Sequence, residues 1–368
     1  MKKIYILNVI GSLSKGGAEY QCSLLSNKLN NKEFTSKILC FYKGPSPLYE
    51  NLSNVIFIPR GNKWNIISLW YKIFSVIRSE RPDILHVWLP EIISAPAAII
   101  GRFLGIPVIA SHRNSTKFSG DLVKYIRDRI RLVQYIFSSR IISNFYINEE
   151  PFFFRFLFKL KHGEVIFNGL KEISQITKPK FETVNEQNSL LFVGRLAPEK
   201  NLPLILRSLE ILKKGTNIFR IRICGEGTEA YKSKLNQLIN ELDINEQVEF
   251  LGYNENWHLL ATESLCLLLP SKSEGTANVV IEALSIGLPT LISDIPMSRS
   301  ILNHEVNSLI VNCECPTIWA EAILKLSKNN VLKEKIKRNG IEYSKQFSTN
   351  NMVNKYEKSY RRTINGNQ

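Results

Sequence analysis

A doubly wound α/β fold, built twice in two domains, is predicted by the order of the sequence patterns. Short β-branched runs alternate with amphipathic stretches from position 1 to position 170, and the alternation begins again at position 188. The length of 368 residues is sufficient for two hydrophobic cores. We therefore expect two Rossmann-like parallel sheets, with a ligand in the cleft between the carboxyl ends of their strands.

The first domain is expected to begin with a strand, because Asn8 interrupts the apolar run 4–10 and no signal-peptide cleavage site follows. Its strands are predicted in KKIYILNVI, SKILCFY, NVIFIPR, PDILHVW, IPVIASH and residues 140–143. Its helices are predicted at 18–29, 66–79, 92–104 and 120–137.

A polar segment without hydrophobic periodicity follows the first domain. It spans 171–187 and contains Pro179, so we interpret it as a linker. The second domain is predicted to have strands in SLLFVGRL, IFRIRICG, QVEFLGY, SLCLLLP, PTLISD and SLIVN, with helices near 202–214, 230–242, 277–286 and 318–329. The expected segments are 1–170, 171–187, 188–345 and 346–368.

Composition argues against several classes of protein. The 44% hydrophobic and 22% charged fractions are those of a globular protein, and there is no run of about 18 uncharged apolar residues, so neither disorder nor a membrane span is expected. The six cysteines contain no CxxC pair, which favours the reducing cytoplasm and provides no zinc ligand set. Cys313 and Cys315 are interpreted as loop cysteines.

The net charge of +15 is concentrated in the N-terminal half. Residues 1–180 contain 26 basic and 12 acidic side chains, whereas 181–368 contain 22 and 21. A basic half could bind nucleic acid or an anionic membrane. The sequence contains no helix-turn-helix, zinc or RNP-like pattern, so we expect no nucleic-acid partner.

Glycine-containing turns follow three predicted strands, at positions where backbone N–H groups can approach a phosphate. Their glycines are Gly16 and Gly17, Gly194, and Gly225 and Gly227. The first of these turns lacks the GxGxxG pattern, so an ordinary strand-to-helix turn stays an equal alternative at Gly16 and Gly17.

Two cations accompany the second of these turns. Arg195 and Lys200 lie between a predicted strand and a predicted helix, and a guanidinium with an ammonium suits a diphosphate. On spacing alone, solvated surface positions are the alternative.

Two carboxylates mark the segment that follows the strand ending at Pro270. Glu274 lies in the loop before a predicted helix and Glu282 lies inside that helix. The helix N-terminus would attract an anion. A carboxylate beside an anion site indicates a ligand with hydroxyl donors, such as a sugar or a ribose.

The motifs together resemble glycosyltransferase family 4, the retaining GT-B enzymes. They are GGAE, NG at 168–169, VGRLxPEK, GEG, VEFLGY, and the block EGTANVVIEALSIGLPT with its E-x7-E spacing. The similarity covers nearly the whole chain, including FSTNNMVNKYEKSYRR, a segment that in this family crosses back to the N-terminal domain.

The resemblance implies a role for each matching residue. Arg195 and Lys200 bind the donor diphosphate, Glu274 the donor sugar hydroxyls and Glu282 the nucleotide ribose, while His112 matches the histidine whose backbone or imidazole lies beside the reacting sugar. The implied donor site also contains the five glycines of the turns together with Gly275, Thr276, Ala277 and Asn278.

No metal or other cofactor is expected, because the sequence lacks an Asp-x-Asp motif and the cations can stabilise the leaving diphosphate. In the front-face mechanism that the resemblance implies, the leaving phosphate helps to remove the acceptor proton. Asp83 and His86 are alternative acid/base candidates, although a strand-capping carboxylate and a core imidazole are the favoured interpretation.

An aromatic and basic segment near 121–161 indicates contact with a membrane or acceptor. On a helical wheel, one face of its last helix contains Phe154, Arg155, Phe158 and Lys159, and we expect this face to be exposed. Lys124, Arg127 and Arg131 form a second basic stripe. Local packing with extended basic side chains is the alternative.

The residues and the family resemblance together predict a retaining glycosyltransferase. It is expected to move a sugar from a nucleotide diphosphate sugar, with a UDP-sugar as the first candidate, to a glycan or lipid-linked acceptor. We expect it in bacterial surface polysaccharide synthesis, in the cytoplasm and peripheral on the inner face of the cytoplasmic membrane. A GT-B-type sugar-nucleotide epimerase or a non-catalytic sugar-nucleotide-binding protein is the alternative.

Overall fold

The chain divides into two compact units, one formed by 1–169 with 349–368 and the other by 170–348. A computed structural model describes residues 2–13, 16–31, 33–42, 54–59, 66–89, 95–113, 132–148, 150–170, 188–312 and 314–366. The predicted linker 171–187 lies outside them. The last helix belongs to the same unit as segment 1–169, although the whole of the other unit lies between them in sequence.

The first unit is built on a parallel sheet of seven strands in the order β3-β2-β1-β4-β5-β6-β7. These strands are Ile4–Ser12, Phe34–Tyr42, Val55–Phe57, Ile84–Val87, Val108–His112, Arg140–Ser143 and Glu164–Val165, for β1 to β7. β1 is central, and six of its nine residues are buried, which explains its nearly continuous apolar run.

Helices cover both faces of this sheet. They include α1 Gly17–Lys28, α2 Ile66–Glu80, α3 Ala95–Phe103, α4 Phe152–Leu160 and, at the end of the chain, α11 Thr349–Asn365. Side chains alternate along a strand, so Ile6 packs with α1 and α11 while its neighbour Leu7 packs with α2 and α3. α4 covers β5 and β6 on the same face as α2 and α3, through Phe154, Leu157 and Phe158.

A buried polar network connects this sheet to α11. The His86 ring nitrogens lie 2.8 Å from the Tyr360 hydroxyl and 2.9 Å from Oγ of Ser111. Burial, with a smaller contribution from the Arg113 charge, holds the pKa of His86 well below its usual value, so the ring is neutral. Oδ2 of Asp83 accepts the Tyr5 N–H at 2.8 Å. The structural interpretation of Asp83 and His86 is therefore confirmed.

The expected exposed face of α4 is wrong. Phe154 and Phe158 are 1% and 9% exposed and pack in the core, whereas Phe153 and Phe156 are 54% and 57% exposed. The buried stripe consists of Phe154, Leu157 and Phe158, at the i, i+3 and i+4 spacing of one helix face. The predicted face was wrong because it grouped two of these buried side chains with basic residues that lie beyond the edge of the stripe. Arg155 and Lys159 are exposed as expected.

The second unit contains a parallel sheet of six strands in the order β10-β9-β8-β11-β12-β13. These are Ser189–Val193, Arg220–Cys224, Val248–Gly252, Cys266–Leu269, Thr290–Ser293 and Leu309–Val311, for β8 to β13. Its helices are α5 Leu202–Lys214, α6 Glu229–Glu241, α7 Asn278–Ser285, α8 Pro296–Ile301, α9 Pro316–Lys328 and α10 Asn330–Ser344. Two parallel-sheet α/β units are what the sequence predicts, and this fold class is confirmed.

None of the helices in the described part of the chain combines the length and the apolar character that crossing a bilayer requires.

We expect Phe154→Ser to lower the free energy of unfolding by about 3–5 kcal/mol, because the buried ring would leave a cavity and a hydroxyl in its place. The matched change Phe153→Ser, on the exposed face, should alter it by less than about 0.5 kcal/mol. Thermal unfolding followed by circular dichroism measures both. Equal midpoints for the two variants would contradict the observed orientation of α4.

Candidate active site

The candidate site lies where the strand order of the second sheet reverses direction. β8 is the first strand of this unit and lies between β9, the second, and β11, the fourth. The loops that leave the carboxyl ends of β8 and β11 therefore diverge to opposite sides and open a crevice, which is the usual ligand position in such sheets. Lys200 belongs to the first loop and Glu274 to the second.

An ion pair joins these two loops. Lys200 donates from Nζ to Oε1 of Glu274, and both side chains are largely buried. The Ser271 hydroxyl donates to the same oxygen at 2.6 Å. Within the described part of the chain, the other carboxylate oxygen, Oε2, has no hydrogen-bond partner. Glu274 is thus held in place through one oxygen, and the second oxygen is available to a ligand.

A backbone hydrogen bond reinforces the pair. The Lys272 N–H donates to the Glu199 carbonyl at 2.9 Å. Pro198–Lys200 forms a single 3₁₀ turn, which Asn201 ends with a left-handed φ of 53° before α5 begins. The chain changes direction in this turn before it enters α5, and Lys200, the last residue of the turn, therefore lies at the crevice.

Ser271 was not predicted from the sequence. It is fully buried and fixes the orientation of Glu274 by its hydroxyl. The available signal is a hydroxyl residue three positions before a loop glutamate, a spacing at which side chains in a turn can meet.

Gly225 and Gly227 allow two loops to pack against each other. A Cβ on Gly225 would lie 1.8 Å from the Gly194 carbonyl oxygen, and one on Gly227 would lie 2.3 Å from the Leu196 carbonyl oxygen. The N–H groups of Gly194 and Gly225 donate to the carbonyls of Cys224 and Gly252. Close loop contact is the local reason for Gly225 and Gly227, whereas a Cβ on Gly194 would meet nothing closer than 3.7 Å.

The segment before α7 leads from Glu274 into the helix. Gly275, Thr276 and Ala277 are buried, and Asn278 is the first helical residue. No side chain caps the helix. Because α7 follows the carboxyl end of β11, its partially positive N-terminal end lies on the crevice side of the sheet. Glu282 lies more than one turn further along and is half-buried.

Arg195 lies on the surface of the same unit. Its side chain is 75% exposed and pairs with Glu199 at 3.1 Å. Lys200 is therefore the cation that is held at the crevice. Arg195 instead forms a solvent-exposed ion pair with Glu199, and such a pair contributes little to stability.

Gly16 and Gly17 lie in the first unit, at the beginning of α1. Gly16 is the extended residue before the helix, and a Cβ there would lie 2.1 Å from the Glu19 carboxylate. Lys124, Arg127 and Arg131 lie outside the described residues.

His112 is enclosed in the core of the first unit. Its ring lies 4.1 Å from that of Phe154 between centroids, its Nδ1 lies 3.0 Å from the Tyr135 hydroxyl, and its Nε2 lies 3.7 Å from Glu150. The side chain has no exposed surface. Aromatic side chains close over the imidazole, and the expectation that the backbone or the imidazole at this position lies beside the reacting sugar stays a prediction. Its backbone carbonyl accepts the Asn144 N–H at 3.2 Å.

Among the described residues, no three His, Cys, Asp or Glu side chains are grouped closely enough to hold a metal ion. The expectation that no metal or cofactor takes part stays a prediction.

Two parallel-sheet units of this kind are found in solved GT-B glycosyltransferases. Anabaena HepE, crystallised with UDP and glucose, aligns with a TM-score of 0.80 at 17% identity over 96% of this chain and 98% of its own. Sucrose-phosphate synthase from Thermosynechococcus elongatus aligns with a TM-score of 0.78 at 15% identity over 99% of this chain and 100% of its own. These similarities establish the GT-B fold.

The protein is a glycosyltransferase. Residues 174–343 match the family described as glycosyl transferases group 1, which places the candidate site inside the matching region. The capsular polysaccharide biosynthesis glycosyltransferase CapH of Staphylococcus aureus is 26% identical over 88% of this chain and 90% of its own. A second relative, from Campylobacter jejuni, is 25% identical over 95% of this chain and 96% of its own. It is the GalNAc-α-(1→4)-GalNAc-α-(1→3)-diNAcBac-PP-undecaprenol α-1,4-N-acetyl-D-galactosaminyltransferase.

We expect Gly225→Ala to lower the free energy of unfolding by about 1–3 kcal/mol, because its methyl group would overlap the Gly194 carbonyl and separate the two loops. Gly215→Ala is the matched control, since its nearest neighbours lie 3.5 Å or more from the added carbon and its φ is −81°. Thermal unfolding of the two variants measures the difference. If Gly225→Ala is as stable as Gly215→Ala, the close loop contact does not exist.

Proposed function

We propose that the protein is a retaining glycosyltransferase of family 4 that transfers a sugar from a UDP-sugar to a glycan or lipid-linked acceptor in bacterial surface polysaccharide synthesis. The observation that carries the proposal is the Lys200–Glu274 pair at the reversal point of the second sheet. It combines a cation for a diphosphate with a carboxylate oxygen for sugar hydroxyls.

The donor is assigned to the second unit. Lys200 and the uncapped start of α7 supply positive charge for the diphosphate. Oε2 of Glu274 accepts from hydroxyls of the donor sugar, and Glu282 from the ribose. HepE, solved with UDP and with UDP-glucose, supports a uridine donor.

Bond breaking separates charge, and the site residues are suited to stabilise it. As the bond between the anomeric carbon and the phosphate oxygen breaks, the sugar gains oxocarbenium character and the diphosphate gains negative charge. Lys200 and the α7 dipole stabilise that charge. Arg195 also contributes when its guanidinium leaves the ion pair with Glu199 and binds the diphosphate instead. The acceptor hydroxyl attacks the anomeric carbon from the face that the diphosphate leaves, and it transfers its proton to the leaving phosphate oxygen. Attack from that face retains the anomeric configuration.

This route requires neither a protein nucleophile nor a metal ion, and the sequence contains no Asp-x-Asp motif.

The acceptor is proposed to be a growing glycan at the membrane. The relative in Campylobacter jejuni has an undecaprenol-linked acceptor in its name, and that in Staphylococcus aureus is named for capsular polysaccharide. A lipid-linked glycan requires the enzyme to work at the inner, anionic face of the cytoplasmic membrane. The excess of basic residues in 1–180 is suited to that surface.

Lys200→Ala should reduce kcat/KM by on the order of a hundredfold, because it removes a charge-assisted contact to the developing diphosphate. Arg195→Ala should do the same if Arg195 leaves Glu199 in the donor complex. Lys214→Ala is the matched control, since Lys214 also pairs with a glutamate, Glu210, but on an exposed surface of α5.

The assay measures UDP release that depends on acceptor. EDTA should leave the rate unchanged. Loss of activity in EDTA that Mg²⁺ or Mn²⁺ restores would contradict the proposed metal independence, and UDP-sugar turnover without acceptor would favour an epimerase.

Glu274→Ala should lower transfer while UDP itself still binds, whereas Glu282→Ala should weaken the binding of UDP. Glu274 lies in the loop that faces the sugar, and Glu282 lies more than one turn inside α7. Calorimetric titration with UDP and with a UDP-sugar measures the two effects separately. An equal loss of UDP affinity in both variants would contradict the proposed division of roles.

A further inference from the structure

A basic cavity lies at the edge of the first sheet where the strands begin. It has a volume of about 540 Å³ and is placed between the ends of α3, α4 and α11 and the beginning of β6. Its basic lining residues are Arg102, Arg140, Lys161, His162 and Arg362. The turn of Gly16 follows the opposite, carboxyl end of β1, so the cavity is separate from that turn within the unit.

The positive charge of this cavity is only partly neutralised. Arg140 and Arg362 share the carboxylate of Glu164, at 2.6 and 3.1 Å. Among the described residues, Arg102 and Lys161 have no ion pair. Burial lowers the pKa of Lys161, and the neighbouring charge of Arg102 lowers it further. Two close cations without an acid would gain from a bound anion.

Hydroxyl groups and an apolar surface complete the cavity. Ser138 and Ser139 lie in its wall, as does Leu160 at the end of α4. Leu160 is 59% exposed and continues the exposed side of that helix, where Phe152, Phe153 and Phe156 lie. α3 ends beside the cavity with the highly exposed Phe103, and neither α3 nor α4 contains an acidic residue.

The other face of the same sheet, covered by α1 and α11, lacks such exposed aromatic side chains on these two helices. α1 and α11, both fully described, expose no large apolar side chain. Exposed aromatic rings are thus concentrated on the layer that contains the basic cavity. Helices of this composition lie in membrane interfaces, with rings in the acyl boundary and cations at the headgroups.

We propose that this cavity binds the phosphate of an anionic phospholipid headgroup while the exposed phenylalanines of α4 enter the membrane interface. A phospholipid joins the two required properties in one molecule, since its phosphate matches Arg102 and Lys161 and its acyl chains match the rings. The inference rests on the proposed action at the membrane, and it assigns that contact to α3, α4 and the cavity.

Sedimentation of the full chain with vesicles tests the proposal. The vesicles contain phosphatidylcholine alone or with phosphatidylglycerol. The cavity variant is Arg102→Gln/Lys161→Gln, and the matched control is Lys328→Gln/Arg338→Gln, which removes the same charges from an exposed surface of the second unit. The apolar variant is Phe153→Ser/Phe156→Ser.

The wild type and the matched control should bind the phosphatidylglycerol vesicles equally. The cavity variant should bind them roughly 30-fold more weakly, since each basic residue at the surface contributes about 1 kcal/mol. The apolar variant should also bind more weakly while keeping its unfolding midpoint. Unchanged binding of the cavity variant, or of the apolar variant, would overturn the proposal.

A second arm distinguishes a phosphate site from diffuse charge attraction. At equal ionic strength, inorganic phosphate should release the wild type from vesicles more effectively than chloride, and it should have no such advantage with the cavity variant. Equal release by both ions would show diffuse attraction, which depends on ionic strength alone, and would overturn the cavity assignment.

UDP release from the donor in the presence of acceptor is measured on the same samples. A chain that binds vesicles through the cavity but never transfers sugar contradicts the proposed function alone. A chain that transfers sugar and binds vesicles independently of the cavity contradicts the docking proposal alone.

Discussion

Parallel pairing of β8 with β11 is the constraint on which the candidate active site depends. In a parallel sheet the carboxyl ends of neighbouring strands lie at one edge, so loops that are distant in sequence begin side by side. Cys266 and Leu267 pair with Leu190 and Leu191, and this register brings the loop of Lys200 to that of Glu274 across 74 residues. The chemistry of the site therefore follows from backbone hydrogen bonding in strands that contain no catalytic residue.

The sequence was sufficient for what depends on local patterns, and insufficient where orientation depends on packing. Strand and helix order, the position of Lys200 after β8 and that of Glu274 before α7 follow from periodicity and turn chemistry. The burial of His112 and the inward face of α4 do not, because in each case several aromatic side chains compete for one core. Ser271 was missed because a serine in a polar loop has no distinctive pattern.

Burial of polar groups has different consequences in the two units. In the first, Arg113 is 5% exposed, stacks over Trp88 at 4.1 Å, and donates to Asn168 and the Tyr356 hydroxyl. These partners are neutral and fixed, which makes the cation part of the core. In the second, the pair at the crevice keeps one carboxylate oxygen without a partner among the described residues, as a site of reaction requires.

The first unit is discontinuous in the chain, and this order matters during synthesis. Tyr356 and Tyr360 of α11 are fully buried in its core, against strands that belong to segment 1–169. A ribosome must therefore complete the whole second unit before it supplies the helix that closes the first. Until then the part of this face that α11 will cover, beside α1, is exposed apolar surface, the condition under which nascent chains aggregate or engage chaperones.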